Sequence, residues 1–332
     1  RHFEPDPRFL TTARKTAALL LKTQPHDESL WPSQYTRDGV PLRPPDRFLY
    51  NDAFVAEGFQ ELAKVTGESV WWERAKELLL KCERIYDRAD YHPEMARVDY
   101  YLGPGASTLT GPRCVGEWMV LFQVAAQMLE FRADAEVEAL RDRCIAAVFD
   151  DHYNAERDLV DELLEHDGSR TTSEASELVY PGHVCQIMWL FMREAVRSGD
   201  AALFERSQRV FLRHLEISRD VVYGGVFQCL QHVERNVWLT DKPLWAQVEP
   251  LVGLLSVVEH TGDDRARDLF GDLYSYVLQT FPQAPQGNRL WSLHADRRGR
   301  HLPNPTRIEN YHHPRHLMLN LLSLDRMIAR QG

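Results

Sequence analysis

Apolar residues recur at three- and four-residue spacing along almost the entire chain, and the strict alternation that marks strands is rare. The spacing predicts helices near 8–22, 48–65, 69–88, 115–131, 134–150, 174–196, 200–218, 243–260, 263–281 and 311–330. Within 69–88, Trp72, Ala75, Leu78, Leu79 and Cys82 form one apolar stripe, as expected of a helix with a single face on a core.

These helices pair across a shared hinge. Thr66-Gly67-Glu68, Ser198-Gly199-Asp200 and Thr261-Gly262-Asp263 each separate two of them. Glycine ends a helix cheaply in the left-handed conformation, and the acidic residue after it favours the start of the next. Arg132-Ala133-Asp134 occupies the place of a fourth hinge, with alanine for glycine. Positions 67, 133, 199 and 262 are 66, 66 and 63 residues apart. A fixed period implies stacked, similar units.

With A for the helix before a hinge and B for the helix after it, the chain reads B, four A–B pairs, then a final A. The expected fold class is therefore all-α: an (α/α)6 barrel over residues 1–332, in one domain, lacking its first hairpin. A closed ring of six would need about 65 further residues. The A helices carry the unusual polar residues and are expected inside, around an axial pocket. The long B-to-A connections, rich in Gly, Pro and aromatics, mark the end where a site belongs.

Composition narrows the partners. Of 332 residues, 44% are hydrophobic and 27% charged, an ordinary globular balance. The net charge of −10, with no basic cluster, argues against nucleic acid or an anionic membrane as partner. Five dispersed cysteines without a CxxC pair read as reduced thiols, so a cytoplasmic location is expected. The longest apolar stretches, such as 250–258, are too short to span a bilayer. The chain opens on Arg1 with no signal-peptide pattern.

Three segments open A helices at the loop end with polar residues in register. PGHVCQIMW places His183, Gln186 and Trp189 near one helical face. KPLWAQVEP places Trp245 and Glu249 one turn apart, and a carboxylate there must be paired or wetted. ENYHHPRHLML places His312, Arg315 and His316 together, with Pro314 in the first turn. Each residue also has a plain reading, as a hydrogen-bonded core histidine, a packing tryptophan or a solvated glutamate. The His312–His316 spacing resembles a metal pair, but no HExxH pattern or third ligand accompanies it, so no metal is expected. Asn51, Asp52 and Glu117, early in their A helices, are candidates for the pocket or for capping. Tyr100 and Tyr101, ahead of GPGAS, are candidate rim residues, and Trp31 and Trp291 fit packing better than sugar stacking.

These segments resemble the N-acylglucosamine 2-epimerase family, which includes cellobiose 2-epimerases and mannose-type aldose–ketose isomerases. The family's PGHxxExxW, WWPxxE and (Y/F)HVPR motifs appear as PGHVCQIMW, LWAQVE and YHHPR. The stretch Thr36–Phe54 is similar to a segment well inside family members, which agrees with the repeat count. The resemblance implies a sugar 2-epimerase, acting on N-acetylglucosamine, N-acetylmannosamine or a related aldose. It casts His183 and His312 as catalytic residues and Trp245 and Glu249 as pocket residues. The family's glutamate three residues after the first histidine is Gln186 here, and its arginine on the first inner helix has no counterpart. Some relatives take ATP as an effector, although this sequence has no GxxxxGK loop. Family members are often dimers, which makes a homodimer one candidate arrangement.

The implied chemistry suits the residues. Only the open-chain aldehyde makes the C2 proton acidic; one group removes it from one face and a second returns it on the other. Histidine has both forms available near neutrality. Trp189 and Trp245 would offer faces to the sugar; Gln186, Glu249, Asp52, Glu117 and Arg315 would bind it. No cofactor is required. Alternatives are an aldose–ketose isomerase, a catalytically weak protein binding a sugar or a partner, and a glycoside hydrolase or lyase drawing two carboxylates from Asp52, Glu117 and Glu249.

Overall fold

The computed structural model describes residues 3–25, 27–42, 48–92, 101–103, 106, 109, 111–282, 291–299 and 311–330. The chain divides into two compact units, one of Arg1–Arg97, Thr108–Asp151 and Leu164–Arg170, the other of Val98–Ser107, His152–Leu163 and Thr171–Gly332. Among the described residues no helix is long and apolar enough to cross a membrane.

The first unit holds α1 (Pro7–Lys22), α2 (Tyr50–Thr66), α3 (Ser69–Tyr86), α4 (Val115–Leu129) and α5 (Ala135–Ala146). The second holds α6 (Pro181–Ser198), α7 (Ala201–Ser218), α8 (Leu244–Thr261), α9 (Asp264–Thr280) and α10 (His312–Ala329). Two- to four-residue antiparallel pairs brace its long connections: Tyr153–Asn154 with Leu159–Val160, Cys229–His232 with Val237–Leu239, and Lys242–Pro243 with His294–Ala295.

The hinges fold as their sequences require. Gly67, Gly199 and Gly262 end α2, α6 and α8 with φ of 73°, 74° and 70°. Asp134, Asp200 and Asp263 then cap α5, α7 and α9, each side chain accepting from a backbone N–H of the first turn. Ala133 does not adopt the left-handed conformation; α4 instead ends through Glu130, whose N–H donates to Ala126 O and Met128 O. One element differs from expectation. The helix predicted from 174 begins only at Pro181, after a 3-10 turn at Glu174–Glu177. A residue before proline is disfavoured in the α region, and Tyr180 (φ −112°, ψ 88°) stays outside it, so a new helix starts on the proline.

Burial separates the two helix classes. α4, α6 and α8 are buried around nearly their whole circumference. In contrast, α5 buries only Val137, Leu140 and Cys144, and α9 only Ala266, Leu273 and Val277. The pairs that begin with α4, α6 and α8 thus set a sheathed A helix beside a one-sided B helix, while α2 and α3 are each buried on one side. α10 departs from this: it buries His316, Asn320 and Ser323 but exposes Leu317, Met318, Leu321, Leu324 and Ile328. All five cysteines are buried, and burial pushes the thiols of Cys82, Cys144, Cys185 and Cys229 up.

Candidate active site

Every component of the strongest polar cluster belongs to the second unit. α6 begins Pro181-Gly182-His183, so His183 sits in its first turn. α8 begins at Leu244, so Trp245 sits in its first turn and Glu249 one turn deeper. α10 begins at His312 itself. Proline at or near each start costs nothing, because first-turn N–H groups have no helical acceptor.

Trp245 is the common wall. Its ring lies 5.4 Å from the His183 ring and 5.5 Å from the His312 ring, centroid to centroid. Tyr180 stacks on it at 5.6 Å with the planes 3° apart, and Tyr180 also meets His183 at 4.5 Å. The indole passes so close to α6 that a Cβ on Gly182 would lie 2.7 Å from Trp245 Cη2. Only glycine lets the two helix starts approach this far.

Each imidazole is tied from behind. His183 Nδ1 lies 2.9 Å from Glu162 Oε1, and His312 Nδ1 lies 2.8 Å from Glu249 Oε1. The carboxylate side chains are fully buried, whereas His183 is 10% and His312 22% exposed. A carboxylate only accepts, so both Nδ1 atoms carry the proton.

Glu249 collects two more donors. Arg315 Nη2 donates to its Oε1 at 2.7 Å and Trp189 Nε1 to its Oε2 at 2.8 Å. Burial pushes the Glu249 carboxyl up, but the Arg315 guanidinium and the His312 hydrogen bond outweigh it and lower it to about 2. The Arg315 guanidinium also lies over the rings of Trp189 and Tyr311, and its Nη1 donates to Tyr311 Oη at 3.1 Å. The approach to α8 is anchored by Lys242, a fully buried ammonium that donates to Asp220 Oδ2, Gly224 O and Arg297 O.

Known proteins share this chain's pattern. The N-acylglucosamine 2-epimerase (GlcNAc 2-epimerase) family matches residues 4–314. The chain belongs to that family. It is 24% identical to the N-acylglucosamine 2-epimerase of Bos taurus over 274 residues, which cover 79% of this chain and 61% of the bovine protein. It is 25% identical to the mannose-6-phosphate isomerase of Rhizobium meliloti (strain 1021) over 280 residues, 80% of this chain and 67% of that protein. In fold it resembles the cellobiose 2-epimerase of Spirochaeta thermophila DSM 6192, with a TM-score of 0.76 at 16% identity, covering 98% of this chain and 82% of the other. The epimerase-family chain is thus mostly helical, as its structural neighbour is.

Several sequence-based candidates have their polar atoms engaged by other side chains. With its side chain fully buried, Glu249 gives its oxygens to His312, Arg315 and Trp189. Trp189 spends its N–H on that carboxylate. Asp52 and Glu117 belong to the interior of the first unit. Asp52 accepts from Trp31 N at 2.7 Å and Lys81 Nζ at 2.9 Å, and is fully buried. Glu117, 2% exposed, accepts from Tyr91 Oη. Gln186 is buried one turn beyond His183, and Trp31 packs in the core as weighed. Trp291 stacks on His313 at 3.9 Å. His316 is buried and held neutral, burial lowering it to about 4. Tyr100 and most of Gly103–Ser107 lie outside the described residues.

Sequence reasoning missed Glu162 and Lys242 as contributors. The signal for Glu162 was an acidic residue inside the apolar run Leu159-Val160-Asp161-Glu162-Leu163-Leu164, just upstream of the histidine motif. A charge embedded in such a run has to be paired.

Proposed function

We propose that this chain epimerises a small reducing sugar, N-acetylglucosamine, N-acetylmannosamine or a related aldose, at carbon 2. His183 and His312 act as the two proton-transfer groups, Nε2 of one removing the C2 proton and the other returning it on the opposite face. One observation carries the reading: both imidazoles flank Trp245, each with Nδ1 held by a buried carboxylate. That arrangement fixes which nitrogen meets the substrate and stabilises the imidazolium formed when a proton is taken. Trp245 would offer its face to the sugar, and Gln186 a hydroxyl contact. The aldehyde itself acidifies the C2 proton, so the step calls for no redox group. A hydrolase would need two reachable carboxylates, and those it would draw on are spent within the protein interior.

The test is incubation with N-acetylmannosamine, mannose or glucose in D2O, followed by proton NMR. Deuterium should enter at C2, and incorporation should vanish in His183→Ala and in His312→Ala. Label at C1 of a ketose product would instead indicate the isomerase outcome. No incorporation from any aldose would refute proton transfer at C2.

A further inference from the structure

The sequence contains a deficit that the structure makes good. The family signature has a glutamate three residues after its first histidine, and this chain has Gln186 there. An amide cannot hold an imidazole by charge or stabilise the imidazolium. Yet His183 is held by a carboxylate in this protein. It comes from Glu162, 21 residues upstream, in the connection that leads into α6.

The segment bearing Glu162 is built to hold it still. Asp161 N donates to His152 O at 2.9 Å, and Glu162 N donates to Leu178 O at 2.8 Å. The backbone is thereby pinned on both sides of the peptide that carries the acid. Leu159, Val160, Leu163 and Leu164 are all buried around it. Val160 N donates to His214 Nε2 at 3.0 Å, which ties the same segment to α7. The Glu162 side chain is fully buried and meets the His183 imidazole.

We propose that Glu162 is the positioning residue of His183, supplying from the connection the negative charge that position 186 lacks, an inference that rests on the proton-transfer reading above. His183–Glu162 is then the counterpart of His312–Glu249, and the imidazoles of both dyads lie against Trp245.

The test is a swap. Glu162→Gln should lower kcat for C2 exchange by about 10²-fold, with KM changed less than about threefold, because the residue touches the histidine and not the sugar. Adding Gln186→Glu to that variant should return at least a tenfold part of the loss. A merely structural role for Glu162 predicts no such rescue. Histidine 15N NMR supplies a readout free of activity. In the unsubstituted protein His183 should be protonated at Nδ1 with Nε2 bare, and in Glu162→Gln the two tautomers should mix. If the unsubstituted protein shows His183 protonated at Nε2 instead, the proposal is overturned, whether or not the variant folds. It is equally overturned if a folded Glu162→Gln keeps both tautomer and kcat. If the tautomer shifts but no aldose exchanges its C2 proton, the positioning role stands and the epimerase reading fails.

Discussion

Replacing Glu249 by glutamine isolates the value of one buried charge. The change preserves shape, but a single amide oxygen must then serve His312 Nδ1, Arg315 Nη2 and Trp189 Nε1, which now converge on two acceptors. The native carboxyl, ordinarily near 4.5, is lowered to about 2: burial raises it, and Arg315 and His312 more than reverse this. That difference corresponds to about 3 kcal/mol favouring the folded state at neutral pH. Because the folded value is the lower one, the contribution is complete above pH 4.5 and fades as pH falls towards 2; roughly 2 kcal/mol of it is gone by pH 3. Urea unfolding of both proteins at a series of pH values reads this directly. The gap should be about 3 kcal/mol at pH 7, a shift of roughly 4 °C in Tm for 332 residues, and should narrow steadily on acidification, since a protonated glutamate and a glutamine are near equivalents. C2 exchange should fall by about 10²–10³-fold in kcat as His312 loses its anchor. A stability gap of the same size at pH 7 and pH 3 would refute the account.

Two other outcomes follow from the geometry. Gly182→Ala forces a methyl into the Trp245 indole at 2.7 Å; it should cost about 1–3 kcal/mol in urea unfolding and slow C2 exchange, whereas an unchanged rate would mean that the indole position is not critical. His214 and His316 are buried and lowered to about 4 from 6.5, burial being the main cause. The unfolded chain therefore binds more protons between those values, and stability should drop as pH falls from 6.5 to 4, by up to about 3 kcal/mol per histidine. His214→Gln should flatten that slope in urea titrations, and an undiminished slope would exclude His214 as a source.

The repeat was legible because its punctuation is local. Gly67, Gly199 and Gly262 announce left-handed caps, and Asp134, Asp200 and Asp263 announce helix starts, each needing only a few neighbouring residues to take effect. The clustering of His183, Trp245 and His312 was legible for a related reason: all three fall at the same point of the repeat. The start of α6 was placed too early because the apolar spacing continues upstream, while the backbone before Pro181 cannot stay helical. The partners of charged groups were the hardest to read. Asp52 finds Lys81 and Glu162 finds His183 across 29 and 21 residues, and no periodicity encodes such pairings. For Glu249, likewise, sequence shows the helix position but not the three donors that surround it.

The sealed thiols give this protein an internal clock. Alkylating reagents attack thiolate, and a buried thiol must first be uncovered by a local opening. Cys82, Cys114 and Cys144 lie in one unit, and Cys185 and Cys229 in the other. Cys185 sits two residues from His183, on the very turn that opens α6. The rate at which each sulfur is modified therefore times the breathing of its own surroundings, and a sugar that quiets Cys185 while leaving Cys144 at its former pace would reveal which part of the chain grips it.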